Sequence, residues 1–250
     1  MGSRGARPVR RAFFGLLSVP AGATLFFMAS QAPKFLYLHG FASGPTSAKA
    51  RAFSSFFQRS GLVLEVLDLR KPSFEGLRLS EMVAHVQERI GGPSDRAVLI
   101  GSSLGGLTAC RVAEKDPRVG ALVLMAPAFG LRELWRTRLG PEKMAEWERT
   151  GFLEVDDYVA RAKARVEHGF YLDMMTADPA EPPDVRVPSL IVHGTNDDVV
   201  PIERSRTFGA GKTHVRLVEV EDGHELGASI PRVLQESGRF LEGWGVHARE

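Results

Sequence analysis

The chain has 250 residues, with 32 Lys and Arg against 30 Asp and Glu, a net charge of +2 and one cysteine. That near-balance gives no electrostatic reason to expect a nucleic-acid partner, and a single Cys excludes an intrachain disulfide framework. With 44% hydrophobic residues the length supports one substantial core.

Residues 1–33 hold Arg4, Arg7, Arg10 and Arg11 and no acidic residue, so the remainder is close to neutral. A basic start, an apolar stretch over 12–28 and small residues at 29–32 have the layout of an export signal, and the Arg10-Arg11 pair is similar to a twin-arginine motif. The competing expectation is that Met28 is the true start and the preceding residues a translated leader, which places the protein in the cytoplasm. Gly15, Pro20 and Gly22 break the stretch too often for a membrane span.

From Lys34 onward, short apolar runs alternate with helical patterns. Strands are expected at 35–38, 62–69, 97–100, 121–125, 189–192 and 215–220, and helices at 47–59, 80–90, 104–114, 203–208 and 231–241. Alternation of this kind implies repeated β–α units and a six-stranded parallel sheet with helices on both faces. Most of the runs are continuously apolar, as strands covered on both faces must be.

One connection breaks the rhythm. About sixty residues separate the strands ending at 125 and beginning at 189, far more than a usual loop, and helical stretches are expected near 131–139, 142–150 and 157–167. The predicted organisation is therefore a core of 34–126 and 188–243, a helical cap inserted over 127–187 and a tail at 244–250. Trp135, Trp147, Phe152, Tyr158, Phe170 and Tyr171 concentrate aromatic area in the insertion, as a lid over an apolar pocket requires. Ordinary packing of insertion on core accounts for any one of them.

Gly101-Ser102-Ser103-Leu104-Gly105 matches G-x-S-x-G, in which small neighbours permit a sharp strand-to-helix turn that exposes the serine hydroxyl. So loose a motif arises by chance; its weight comes from the expected strand before it and helix after it. A carboxylate of the run His193-Gly194-Thr195-Asn196-Asp197-Asp198 follows the fifth strand, and Glu221-Asp222-Gly223-His224 follows the sixth. Both fall beyond the carboxyl ends of strands, where open α/β sheets place their sites. The chain order of serine, acid and histidine is neither the chymotrypsin nor the subtilisin order.

With Tyr37-Leu38-His39-Gly40-Phe41 and Ser47-Ala48-Lys49-Ala50 added, the chain resembles the α/β-hydrolase superfamily from Lys34 to about Gly243, in particular small bacterial YqiA-like serine esterases. The resemblance implies Ser103 as nucleophile, His224 as base and, from H-G-x-x-D-x-x-V-P, Asp197 rather than Asp198 as the acid. It also implies an oxyanion hole formed by the backbone N–H groups of Phe41 and Leu104. The expected reaction is hydrolysis of an ester or thioester of a small to medium acyl substrate. The alternatives are a peptidase or amidase on the same residues, or a noncatalytic binding module on the scaffold.

No metal or other cofactor is expected, since the seven histidines show no H-E-x-x-H spacing and one cysteine makes no pair. His39 and His193, each before a glycine at a strand end, are expected to be packed, hydrogen-bonded structural residues. Cys110 is expected to be a buried structural thiol.

Overall fold

A computed structural model describes residues 32–179 and 182–247. Residues 1–31, nearly all of the expected leader or export signal, lie outside the described residues, as do 248–250 of the tail. Among the described residues no helix is long and apolar enough to cross a membrane.

Six strands form one sheet: β1 (Lys34–Leu38), β2 (Leu64–Leu67), β3 (Ala97–Ser102), β4 (Val119–Met125), β7 (Ser189–Gly194) and β8 (Val215–Val220). Their order is β2-β1-β3-β4-β7-β8 and every pairing is parallel. Alternate residues of each central strand enter different cores. Leu36, Leu99, Leu122 and Ile191 lie on one face with residues of helices α2 (Leu79–Ile90), α3 (Leu104–Ala113) and α6 (Glu203–Gly209). Phe35, Val98, Val123 and Leu190 lie on the other with residues of α1 (Ala48–Arg59) and α7 (Ile230–Phe240). Full burial of such a side chain contributes about 1.5–3 kcal/mol, which is why these strands read as unbroken apolar runs.

The segment between β4 and β7 holds α4 (Leu131–Thr150), β5 (Phe152–Asp157), β6 (Ala162–Glu167) and α5 (Gly169–Ala177). Helix α4 is two helices joined at Gly140 (φ +72°, ψ 170°), with Pro141 opening the second half, where its missing N–H leaves no intrahelical bond unmade.

The helix expected over 157–167 is corrected. These residues supply the end of β5, a turn and β6, an antiparallel hairpin in register from Phe152↔Glu167 to Asp157↔Ala162. Good helix formers such as Ala162, Lys163 and Arg165 are overridden by one local and two tertiary constraints. Asp157 accepts from the N–H groups of Val159 and Ala160 at 2.9 and 3.2 Å and closes the turn. Arg70 grips the same carboxylate in a two-bond fork at 3.1 and 2.5 Å. Trp147, fully buried, donates its indole N–H to Val166 O at 3.0 Å and fixes the second strand.

Candidate active site

The strand order turns back at β1 and β3, since the chain runs outward from β1 to β2 and returns on the other side. A crevice at the carboxyl ends of such strands is where open α/β sheets hold ligands. Gly101 and Gly105 make the turn after β3 possible: a Cβ on Gly101 would lie 2.4 Å from Gly105 O, and one on Gly105 would lie 2.2 Å from Leu38 O. Ser103, between them, adopts φ +52°, ψ −116°, a strained conformation for a residue with a side chain. Its N–H donates to Met125 O at 2.9 Å and its carbonyl accepts from Leu107 and Ala128 N–H, so the strain is held by the neighbouring elements.

Ser103 Oγ lies 3.0 Å from His224 Nε2, and His224 Nδ1 lies 2.8 Å from Asp197 Oδ2. With the carboxylate accepting from Nδ1–H, Nε2 is left as the acceptor for the serine hydroxyl. The Asp197 side chain is fully buried and that of His224 is 12% exposed. Oδ1 of Asp197 accepts from Val199 N–H at 2.9 Å and Val200 N–H at 2.8 Å. Burial alone would raise its pKa, but the hydrogen bonds from His193, His224 and Val200 outweigh it and hold the carboxyl well below the usual carboxylate range. Asp198 is exposed.

The loop bearing His224 is tied down at both ends. Asp222 accepts from Gly223 N–H at 2.8 Å and Ser229 N–H at 2.9 Å, and Asn196 N–H donates to Asp222 O at 3.0 Å, joining this loop to that of Asp197. From α1, the largely buried Lys49 donates through Nζ to Glu225 O and to Glu225 Oε2, both at 3.0 Å. Sequence reasoning missed Lys49; its placement in the second position of a helix after an apolar strand carries no signal for a contact 176 residues away.

Phe41 follows Gly40, whose absent side chain faces the serine: a Cβ there would lie 3.3 Å from Ser103 Cβ and 3.9 Å from Oγ. Leu104 opens α3, so its N–H is among those a helix leaves without an internal acceptor. The Phe41 ring joins core to insertion, with centroids 5.2 Å from Trp135, 5.5 Å from Phe74 and 6.0 Å from Phe170. Behind it a cavity of about 10 Å³, lined by His39, Arg70, Leu77 and Leu104 among others, has room for about one water. Tyr158 N–H, at the hairpin turn, donates to Ala42 O at 3.1 Å and braces the same loop. Of the six insertion aromatics, Trp147 and Phe170 are fully buried, whereas Tyr158 is 71% exposed.

His39 is packed as expected: its Nδ1–H donates to Gly40 O at 2.9 Å and Nε2 accepts from Leu69 N–H at 3.0 Å, the pattern of a neutral ring, and burial lowers its pKa. Cys110 is fully buried, and burial pushes its thiol pKa up. His193 is also buried, but its Nε2 lies 3.1 Å from Asp197 Oδ2, a contact that placement before a glycine does not disclose.

Sheet order, helices on both faces and a serine on a strained strand-to-helix turn define an α/β-hydrolase fold, and the solved structures agree. Alpha/beta hydrolase domain-containing protein 10 from mouse superposes with a TM-score of 0.71 at 21% identity, over 86% of this chain and 91% of that one. Est1E from Butyrivibrio proteoclasticus gives 0.63 at 19% identity, over 86% and 89%. The chain belongs to the uncharacterised protein family UPF0227, whose model matches residues 34–241. A 79-residue stretch is 42% identical to the pimeloyl-(acyl-carrier protein) methyl ester esterase of Citrobacter koseri, which is 29% of this chain and 30% of that protein, so the match spans under a third of the relative's length.

Proposed function

We propose that the chain is a serine hydrolase that cleaves an ester or thioester of a small to medium acyl substrate through Ser103, His224 and Asp197. The observation that carries this reading is the unbroken line of hydrogen-bonding groups from Ser103 Oγ through His224 to Asp197, at 3.0 and 2.8 Å. The similarity to a relative named as a methyl ester esterase supports it.

On this reading Ser103 Oγ attacks the acyl carbonyl as its proton passes to His224 Nε2, and Asp197 stabilises the imidazolium through Nδ1–H. The carbonyl oxygen, now an alkoxide, takes hydrogen bonds from the N–H groups of Phe41 and Leu104; in other enzymes, losing one such donor costs about 10²–10³ in rate. His224 returns the proton to the departing alcohol or thiol, leaving an acyl-serine. Water, deprotonated by His224, then attacks the acyl carbonyl, the acid departs, and Ser103 recovers its proton. The insertion, 127–187, acts as a cap, with Trp135 and Phe170 packed on Phe41.

A panel of acyl methyl esters, 4-nitrophenyl esters, thioesters and anilides tests the reading on wild type, Ser103→Ala and His224→Ala. Hydrolysis of esters or thioesters that falls by about 10³-fold or more in either variant is expected. Hydrolysis that survives Ser103→Ala contradicts the assignment.

A further inference from the structure

Two histidines converge on one carboxylate oxygen. Besides His224, His193 Nε2 lies 3.1 Å from Asp197 Oδ2 and 2.9 Å from Val200 O, while its Nδ1 lies 2.7 Å from Ser205 Oγ on α6. The His193 side chain, the carboxylate and Ser205 are all fully buried. An ionised carboxylate and a carbonyl can only accept, so Nε2 carries the proton, and the Ser205 hydroxyl completes a neutral ring by donating to Nδ1.

We propose that His193 is a positioning residue for the acid: its Nε2–H holds Asp197 Oδ2 in line with His224, and Ser205 fixes the tautomer that makes this donation possible. The proposal rests on the reading of Ser103, His224 and Asp197 given above.

Packing alone does not require this arrangement. Val200 O would satisfy Nε2–H by itself, and Val199 and Val200 N–H already engage the other carboxylate oxygen. What His193 adds is a second donor on the oxygen that faces His224. Sharing that oxygen between two N–H groups lowers its basicity, so the proton gained by His224 stays on His224, from where it is delivered to the leaving group. The low pKa of Asp197, to which the His193 hydrogen bond contributes, points the same way. Without His193, Asp197 becomes more basic and stabilises the imidazolium more strongly, so the acid limb of the serine's reactivity moves to higher pH. Other charges near this line are Asp222, Glu225 and Lys49 around His224, and Glu219, paired across the strands with His193 and bridged to Arg206. Substitutions at His193, Ser205 and Asp197 leave these untouched.

The test is the pH dependence of the second-order rate of labelling by a fluorophosphonate, which reads the serine and histidine without a known substrate. His193→Ala is expected to slow the plateau rate roughly 10- to 100-fold, the scale on which outer partners of functional groups act, and to move the acid limb up by about half to one pH unit. His193→Gln, whose amide N–H reaches the place of Nε2, restores most of both; Ser205→Ala shifts the limb in the same direction by less. In an Asp197→Asn background, His193→Ala adds less than about twofold. The proposal is overturned if the limb stays at its wild-type pH in His193→Ala and Ser205→Ala. It is also overturned if His193→Gln falls as far as His193→Ala while melting at the same temperature. Should His193→Ala not fold, Ser205→Ala still decides: a limb moved up supports the proposal and a limb at its wild-type pH overturns it. Labelling unaffected by Ser103→Ala is a different failure, that of the hydrolase reading itself.

Discussion

Both oxygens of Asp197 are engaged, Oδ1 by two backbone N–H groups and Oδ2 by two imidazoles, whereas the adjacent Asp198 faces solvent. Asp197→Asn is therefore expected to lower kcat by roughly 10³–10⁴-fold, as an amide at this place favours the wrong histidine tautomer. Asp198→Asn is expected to stay within about twofold; assays on the best ester decide both. Stability follows the same carboxylate. Because its folded pKa lies below the ordinary value of about 4, its stabilisation is full above that value and is lost as pH falls toward the folded pKa. The difference in unfolding free energy between wild type and Asp197→Asn is thus expected to be flat from pH 7 to about 5 and to shrink below it, measured by urea titration at each pH. Ser103 and His224 were marked as candidates by motif and chain order, and Asp197 was preferred to Asp198 from resemblance alone. The dependence of Asp197 on His193 was not, because it depends on ring orientation.

At the scale of elements, the proposed site is a set of loops at strand ends, held by contacts from elsewhere in the chain. Lys49 on α1 grips the backbone of Glu225, one residue past His224, and also the Glu225 carboxylate, which is 82% exposed and screened by solvent. Lys49→Met is expected to lower kcat/KM about 5- to 20-fold by loosening the loop. Glu225→Ala, which keeps the bond to the carbonyl, is expected to stay within about twofold. Equal losses in the two variants, measured on one ester, would assign the effect to the side-chain pair instead. The strands of the sheet were legible because both faces are covered and the middle of a central strand is a continuous apolar run. The hairpin β5–β6 was not: Ala162 to Arg165 favour a helix locally, and the groups that extend them, Arg70 and Trp147, are distant in sequence or on another element.

Across the whole molecule, the insertion and the core meet along a seam of aromatic rings around Phe41 and a few buried ion pairs. Arg70 to Asp157 anchors the hairpin turn, and Arg111 of α3 donates to Asp178 just beyond α5 at 2.9 and 2.7 Å, with both side chains 3% exposed. Arg70→Ala leaves the Asp157 carboxylate buried without that partner. Faster amide exchange over 152–167 is expected, with protection in the central strands unchanged, since hairpin and sheet share no ladder. Uniform loss of protection would mean that insertion and core unfold as one unit. The central claim, that Ser103 is a nucleophile activated by His224, is tested most directly by fluorophosphonate labelling followed by peptide mass spectrometry. One adduct on the peptide containing Ser103 is predicted in wild type, absent in Ser103→Ala and strongly reduced in His224→Ala. An adduct elsewhere, or labelling undiminished in His224→Ala, would contradict it.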